Sequence, residues 1–247
     1  MLTEQRKQLL LARLKKDGRI VAKSMSGELD LSEDTIRRDL RELAADGWLQ
    51  RVHGGALPAS PTVANLQARR GMAHDEKRRL GLAAAKLVEK KQRVFIDGGT
   101  THMELLRAIA LDLQFTVITH SPAIAAALEG HAATVIVIGG TLFRHSMVAV
   151  GAAALEAISR TRTDLAFIGL TGLHPKEGGT TGDYEEAAIK RAIMARAAET
   201  AVLLTSEKLG AVSAHGVCDA KDITHFVVPR TANVKGLLSR GLHQVRA

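Results

Sequence analysis

Thr35, Arg37, Arg38 and Arg41, within the segment LSEDTIRRDLREL, carry groups suited to gripping nucleic acid. A guanidinium is a planar fork of donors that fits guanine O6 and N7 in a major groove or the oxygens of a phosphate, and a threonine sets a hydroxyl and a methyl beside it. Ser32 is placed to cap a helix, and Glu33 and Asp34 fall in its first turn, where the helix dipole favours carboxylates. Ile36, Leu40 and Leu43 then recur at i, i+4 and i+7 as a buried stripe. The arginines lie off that stripe, so the segment reads as a recognition helix rather than a surface helix that merely carries charge. Beyond it, Trp48 to Val52 reads as a strand and His53-Gly54-Gly55 as a tight turn, together a wing that brings Arg51 and His53 to the sugar-phosphate backbone. A turn-stabilising role suits His53 equally well.

A second constellation suits a different anion. Asp97-Gly98-Gly99-Thr100-Thr101 follows an apolar run and opens a helix, so backbone N–H groups and two hydroxyls can converge on a phosphate. The same two glycines also suit a sharp turn and nothing more. Other strand ends carry comparable loops at Thr119-His120-Ser121, Gly139-Gly140-Thr141, Gly169-Leu170-Thr171-Gly172 and Thr205-Ser206-Glu207-Lys208. Gathered at one sheet edge, they would form a polar pocket of sugar-phosphate character, with Lys190 and Lys208 supplying positive charge.

The elements that must position these groups fall into two units. Leu9, Leu10 and Leu14 mark a first helix with Thr3 as its cap and Gly18 as its end; Ile20 and Val21 lead into a second with Met25 and Leu29. With the recognition helix and the hairpin, these make a winged helix-turn-helix over residues 1–57. Residues 58–75, with Pro58, Pro61 and no sustained period, read as a linker. From 76 to 247 short β-rich runs alternate with helical ones: Arg93 to Asp97, Phe115 to Thr119, Thr134 to Ile138, Asp164 to Gly169, Ala201 to Leu204 and His225 to Val228. Runs such as VIVIG and AVLLT are apolar on both faces, as in a parallel sheet covered by helices. The fold class is α/β: a small DNA reader joined to a larger α/β domain with ligand loops at the carboxyl ends of its strands.

The chain has 247 residues and a formal net charge of +8. Residues 1–93 hold 20 Lys or Arg against 12 Asp or Glu, whereas 94–247 hold 14 of each. Much of the excess lies in 61–93, with Arg69, Arg70, Lys77, Arg78 and Arg79, a stretch that reads either as extra contacts to DNA phosphates or as a plain solvated linker and helix. No run of apolar residues is long enough to cross a membrane and no leader pattern opens the chain, so a cytoplasmic protein is expected. The single cysteine, Cys218, excludes an internal disulfide and reads as a buried thiol. The ten histidines lack metal-ligand spacing, so neither a metal nor another cofactor is expected.

The strings TIRRDL and RVHGGA, at their separation within residues 18–56, resemble the helix-turn-helix domain of the DeoR family of bacterial transcription regulators. The resemblance continues through FIDGGTTHMELL, TVITHSPAIAAAL, VIVIGGTL, LAFIGLTGL, EEAAIKRAI and TSEKLG, which look like successive blocks of that family's sensor domain, similar in fold to ribose-5-phosphate isomerase. Asp30 stands where the family commonly has Gly, His120 where it often has Asn, and Thr205 where an Asp commonly precedes the Ser-Ser-Lys block. The resemblance implies a repressor of a sugar-catabolic operon that binds double-stranded operator DNA as a homo-oligomer, dimer or tetramer, and is released by a phosphorylated sugar. It implies that Gly98, Gly99, Thr100 and Thr101 hold the phosphate, that Asp97 and Thr171 meet sugar hydroxyls, and that Glu185, Lys190 and Lys208 close the far side, with His120, Gly139 and Gly140 on the remaining loops. Two other readings stand beside it: an isomerase or deaminase of sugar phosphates using Asp97, Asp183, Glu185 or Glu186 as proton shuttle, and a DNA binder that ignores sugar phosphates. An appended DNA reader, and the lack of a carboxylate pair with a fixed base partner, weigh against catalysis, so no catalytic residue is assigned.

Overall fold

A computed structural model of the chain describes residues 2–58, 66, 69, 71–232, 234 and 243–247. The first unit contains α1 (Thr3–Asp17), β1 (Ile20–Val21), α2 (Ala22–Leu29), α3 (Glu33–Ala45), β2 (Leu49–Val52) and β3 (Gly55–Pro58). The strands form an antiparallel sheet in the order β1-β3-β2, so Ile20 and Val21, read as a lead-in to the second helix, instead pair with Ala56 and Gly55. Leu10, Leu14, Met25, Ile36, Leu40, Leu43 and Leu49 make its core, which confirms the stripe on α3. Asp39 lies on the same buried face and is fully enclosed; Arg6 of α1 binds both its oxygens, with Nη2 at 2.9 Å from Oδ1 and Nε on Oδ2. An unpaired carboxylate there would be costly, so this pair fixes the seating of α1 on α3. Asp30 takes the left-handed conformation with φ 50° and closes α2 through its N–H to Ser26 O, so the turn survives without a glycine. Thr3 is the first residue of α1 rather than its cap: Leu2 holds the cap position without a side-chain bond.

The linker expected at 58–75 falls largely on 59–65, 67, 68 and 70, which lie outside the described residues. The second unit runs through α4 (His74–Ala85), β4 (Arg93–Ile96), α5 (Thr100–Ala108), β5 (Thr116–Thr119), α6 (Pro122–Ala127), β6 (Thr134–Val137), β7 (Thr141–Phe143), β8 (Val148–Val150), α7 (Ala152–Ser159) and β9 (Thr163–Ile168). It continues through β10 (Gly172–His174), β11 (Gly178–Thr181), α8 (Tyr184–Met194), β12 (Ala197–Leu203), β13 (His215–Cys218), β14 (His225–Val228) and β15 (His243–Arg246). Seven strands form a sheet in the order β15-β14-β12-β9-β4-β5-β6, with every neighbouring pair parallel. Side chains alternate across it: Val94, Ile96 and Phe167 enter a layer with Leu80, Leu105 and Ile124, while Phe95, Ala166 and Ile168 enter the opposite layer with Ile158, Ile189 and Phe226.

AVLLT behaves as expected, since Ala201, Val202 and Leu203 are buried on β12. VIVIG does not. β6 is an edge strand, and Ile136 and Val137 are 47% and 55% exposed. The chain leaves β6 for the antiparallel pair β7-β8 instead of a crossover helix, so no helix follows to cover it. A second small sheet, β10-β11-β13, came from Gly-rich and Thr-rich segments with too little periodicity to read as strands.

The order of travel sets the site. From β4 the chain moves outward through β5 and β6, returns to β9 on the other side of β4, and moves outward again through β12 and β14. Connections diverge between β4 and β9, and such a switch point leaves a crevice at the carboxyl ends of the strands. The crevice is framed by the close packing of α4 on α5, where a Cβ on Gly81 would lie 2.5 Å from the backbone carbonyl carbon of Glu104. Helix propensity and packing therefore predict opposite outcomes for two glycines. Gly27→Ala, with open space around it on α2, is expected to raise stability by about 0.5–1 kcal/mol. Gly81→Ala forces α4 off α5 and is expected to cost about 1–3 kcal/mol. Urea unfolding of both variants checks this, and equal shifts would mean that the two helices are not in close contact.

Candidate functional site

The structure brings the first set of candidate residues onto one face. Ser32 caps α3 by accepting from Thr35 N at 3.1 Å, and its hydroxyl lies 2.8 Å from Thr35 Oγ1. Thr35, Arg37, Arg38, Arg41 and Arg51 line one shallow recess with Asp34; Arg37 and Arg51 share an adjoining recess with His53 and Gly54. Thus α3 and the β2-β3 wing present a continuous cationic surface. Within it Arg37 is held along the helix, its Nη2 at 2.7 Å from Glu33 Oε1, while no side-chain bond is found for the exposed Arg38, Arg41 or Arg51 among the described residues. Glu33 directs the Arg37 fork along the helix surface, whereas the adjacent Arg38 has no such bond among the described residues.

The second constellation lies at the switch point. Lining one cavity are Gly98, Gly99, Thr100, Thr101 and His102 after β4; Gly169, Leu170 and Thr171 after β9; Glu207 and Lys208 after β12; and Glu186 and Lys190 of α8. Ser146, Thr181, Arg69, Met72 and Lys77 complete the wall. Gly99 caps α5 with φ 148°, a backbone that side-chain-bearing residues rarely adopt, and no side chain caps the helix. The residues of the first turn of α5 line the cavity, and their N–H groups have no side-chain capping acceptor. Thr181 is fully buried in the wall and its Oγ1 has no hydrogen-bond partner among the described residues.

Beneath this floor Asp97 is wholly enclosed. Its Oδ2 accepts from Lys190 Nζ at 2.6 Å and from Gly169 N at 2.8 Å, and its Oδ1 accepts from His120 Nε2 at 2.7 Å. Burial by itself would raise the Asp97 pKa, but the Lys190 ammonium, the His120 bond and the neighbouring rings reverse this and hold the carboxyl far below the usual carboxylate range. Burial likewise works against charge on Lys190, and Asp97 with Glu186 more than offsets it, so its pKa is raised. The cavity wall is less balanced. It carries Arg69, Lys77, Lys190 and Lys208 against Glu186 and Glu207. Burial first, and Arg69 next, lower the Lys208 pKa to about 8. Burial lowers that of His102 to about 4, so its ring is neutral at physiological pH; Nδ1 donates to Asp97 O at 2.7 Å, which leaves Nε2 as an acceptor.

Gly98, Gly99, Thr100, Thr101, Thr171, Lys190 and Lys208 thus come together as the sequence suggested. Asp97 and His120 do not reach the cavity: both are fully buried below it, so the expectation that Asp97 meets a sugar hydroxyl gives way to a supporting role. Gly139 and Gly140 also lie elsewhere, because they follow the edge strand β6, two strands from β4 and so about 10 Å away. Glu185 is exposed, whereas Glu186 lines the cavity and lies 3.8 Å from Lys190. The i, i+4 spacing of Glu186 and Lys190 was the available signal: if Lys190 points inward, so does Glu186. Of the basic stretch, Arg69 and Lys77 line this cavity, Arg70 lies outside the described residues, and Arg78 and Arg79 are exposed on α4. Cys218 is a half-buried thiol whose pKa burial pushes up to about 12, in keeping with an unreactive group.

Comparison with known proteins matches both units of the chain to one family. Residues 6–62 match the DeoR-like helix-turn-helix domain and residues 72–230 match the DeoR C-terminal sensor domain. The chain is 34% identical over 225 residues to the HTH-type transcriptional regulator GlpR of Haloferax volcanii, covering 87% of this chain and 85% of that protein. It is 31% identical over 230 residues to the uncharacterized HTH-type transcriptional regulator FruR of Bacillus subtilis, 91% of each chain, and 28% identical over 208 residues to the glycerol-3-phosphate regulon repressor of Escherichia coli, 83% of this chain and 82% of that one. Ribose 5-phosphate isomerase A from Methanocaldococcus jannaschii superposes with a TM-score of 0.41 at 16% identity, over 55% of this chain and 54% of that one. With a recognition helix and wing at one end and a parallel-sheet sensor domain at the other, the chain belongs to the DeoR family of transcriptional regulators.

Proposed function

We propose that this regulator represses an operon for the catabolism of a sugar or sugar derivative, and that it leaves its operator when a phosphorylated sugar enters the cavity between β4 and β9. The observation that carries this is the cavity itself: an excess of cationic side chains, the uncapped N-terminus of α5, and an orphaned hydroxyl on Thr181 converge where a parallel sheet places its ligands. In this reading Gly98, Gly99, Thr100 and Thr101 receive the phosphate, with Lys208 as its counter-charge. Thr171, Glu186 and the bare Nε2 of His102 meet sugar hydroxyls. Asp97 and His120 hold the floor in place without touching the ligand. The name of a relative that represses a glycerol-3-phosphate regulon supports a phosphorylated small metabolite as the class.

The same geometry favours binding over turnover. Both Asp97 oxygens are engaged beneath the floor, and Glu186 lies beside the Lys190 ammonium, so neither carboxylate is poised as a free proton shuttle. Ser32, Thr35, Arg38 and Arg41 of α3 enter the major groove, Arg37 braces Glu33 at its margin, and Arg51 and His53 on the wing meet the backbone. The protein works in the cytoplasm as a dimer or tetramer, whose paired readers match twofold operators. The sugar phosphate weakens operator binding only by as much as it prefers the arrangement that cannot bind DNA.

Fluorescence anisotropy on operator DNA, titrated with phosphorylated sugars and their parent sugars, tests this directly. One phosphorylated sugar is expected to release the DNA while its parent is inert; no response to any member of a broad panel would remove the effector half of the proposal. Thr100→Ala combined with Lys208→Ala is expected to abolish release. Arg38→Ala is expected to cost about 1–3 kcal/mol at the operator and little on random DNA, and equal losses on both would reassign it to a phosphate contact. The response should also follow pH. Lys208 carries its proton below about 8 and loses it above, whereas a phosphate monoester is already mostly a dianion, so effector affinity falls as pH rises through about 8. Titrations on either side of that value check the sign, and a pH-independent affinity would take Lys208 out of the site.

A further inference from the structure

The cavity has one wall that does not come from a strand end. Arg69 lies in the segment between the last strand of the DNA reader, which ends at Pro58, and α4, and it reaches the same cavity as Thr100 and Lys208. Its Nε is buried and has no hydrogen-bond partner among the described residues. The nearby carboxylates Glu186 and Asp97 act on it only through their fields. A guanidinium donor out of water and without an acceptor is costly, and a bound anion would supply the missing acceptor. Fully buried Thr181, with its unpartnered hydroxyl, lines the same cavity.

The backbone groups of Arg69 and Leu66 are tied to the cavity rim. Lys77 Nζ donates to Arg69 O at 2.6 Å, and Lys77 itself lines the cavity. Leu66 N donates to His145 O at 2.9 Å, next to Ser146 in the wall. Glu76, in the first turn of α4, accepts from Ser206 N at 3.1 Å and from Ser206 Oγ at 2.6 Å, which joins this helix to the loop bearing Lys208. Arg69 and Met72, which precede α4, are therefore part of the sensor wall.

Building on the effector reading above, we propose that Arg69 is a direct ligand of the anionic effector, so that occupancy of the cavity fixes the course of the segment that leads to the DNA reader. The guanidinium fork takes two oxygens of the phosphate, while Lys208 supplies charge from the loop after β12. Effector binding then acts on the interdomain segment through a side chain of that segment, with no relay through the sheet.

Inorganic phosphate is the probe, and calorimetric titration of the full chain is the measurement, with Arg69→Gln, Arg69→Lys and Lys208→Gln as variants and thermal unfolding to confirm that each is folded. The expected result is phosphate binding by the unaltered protein, weakened at least tenfold by Arg69→Gln and by Lys208→Gln, with Arg69→Lys intermediate because it keeps the charge and loses the fork. Should Arg69→Gln not fold, a wild-type affinity for Arg69→Lys overturns the fork contact. Unchanged phosphate binding in Arg69→Gln alongside a loss in Lys208→Gln overturns the role of Arg69 while leaving the cavity as the effector site. Absence of phosphate binding by the unaltered protein, or no effect of Lys208→Gln, overturns the effector reading of the cavity and the inference about Arg69 with it.

Discussion

A carboxylate with no exposure to water must find its hydrogen bonds and its counter-charge inside the protein, and Asp97 imposes that demand at the centre of the sensor domain. Three parts of the fold meet it: α8 brings Lys190, the end of β5 brings His120, and the start of the loop after β9 brings the Gly169 N–H. Because Asp97 sits at the end of β4, these bonds tie two neighbouring strands and a helix to the switch point. His120 carries the connection further, its Nδ1 lying 2.8 Å from Ala149 O in β8. Lys190 is thereby held at the cavity floor with its charge largely spent on Asp97, and in the proposed reading the cations left for a ligand are Arg69 and Lys208. One buried group thus decides which side chains support and which are available.

The DNA reader solves a smaller version of the same problem. Asp39 lies on the buried stripe of α3 between Ile36 and Leu40, and only the Arg6 guanidinium on α1 makes that position tolerable. The pair fixes the rotation of α3 about its axis, and with it the direction in which Arg38 and Arg41 point. In both domains the cationic surface is placed by an ion pair that water does not reach.

Much of this was legible in the sequence where the signal is local. The cap at Ser32 and the stripe on α3 depend on residues within a turn or two of one another. The parallel character of the sheet showed in its apolar runs, but strand order did not, and order decides function here. VIVIG reads like a central strand, yet it lies at the edge and carries Gly139 and Gly140 away from the cavity. Glu185 and Glu186 differ by about 100° of helix rotation, which composition cannot resolve and a fixed Lys190 can. Arg69 was the least legible of all: from sequence it is one charge in a basic stretch, and only the return of the chain past the rim brings it to the cavity.

The claim that Asp97 and Lys190 form one energetic unit beneath the cavity is tested most directly by a double-mutant cycle on the intact chain. Unfolding free energies would be measured for Asp97→Asn, Lys190→Met and the double variant. Each single change strands a buried partner and is expected to cost about 3–5 kcal/mol, while the double variant costs little more than either alone. Additive losses, with no coupling between the two positions, would contradict the account.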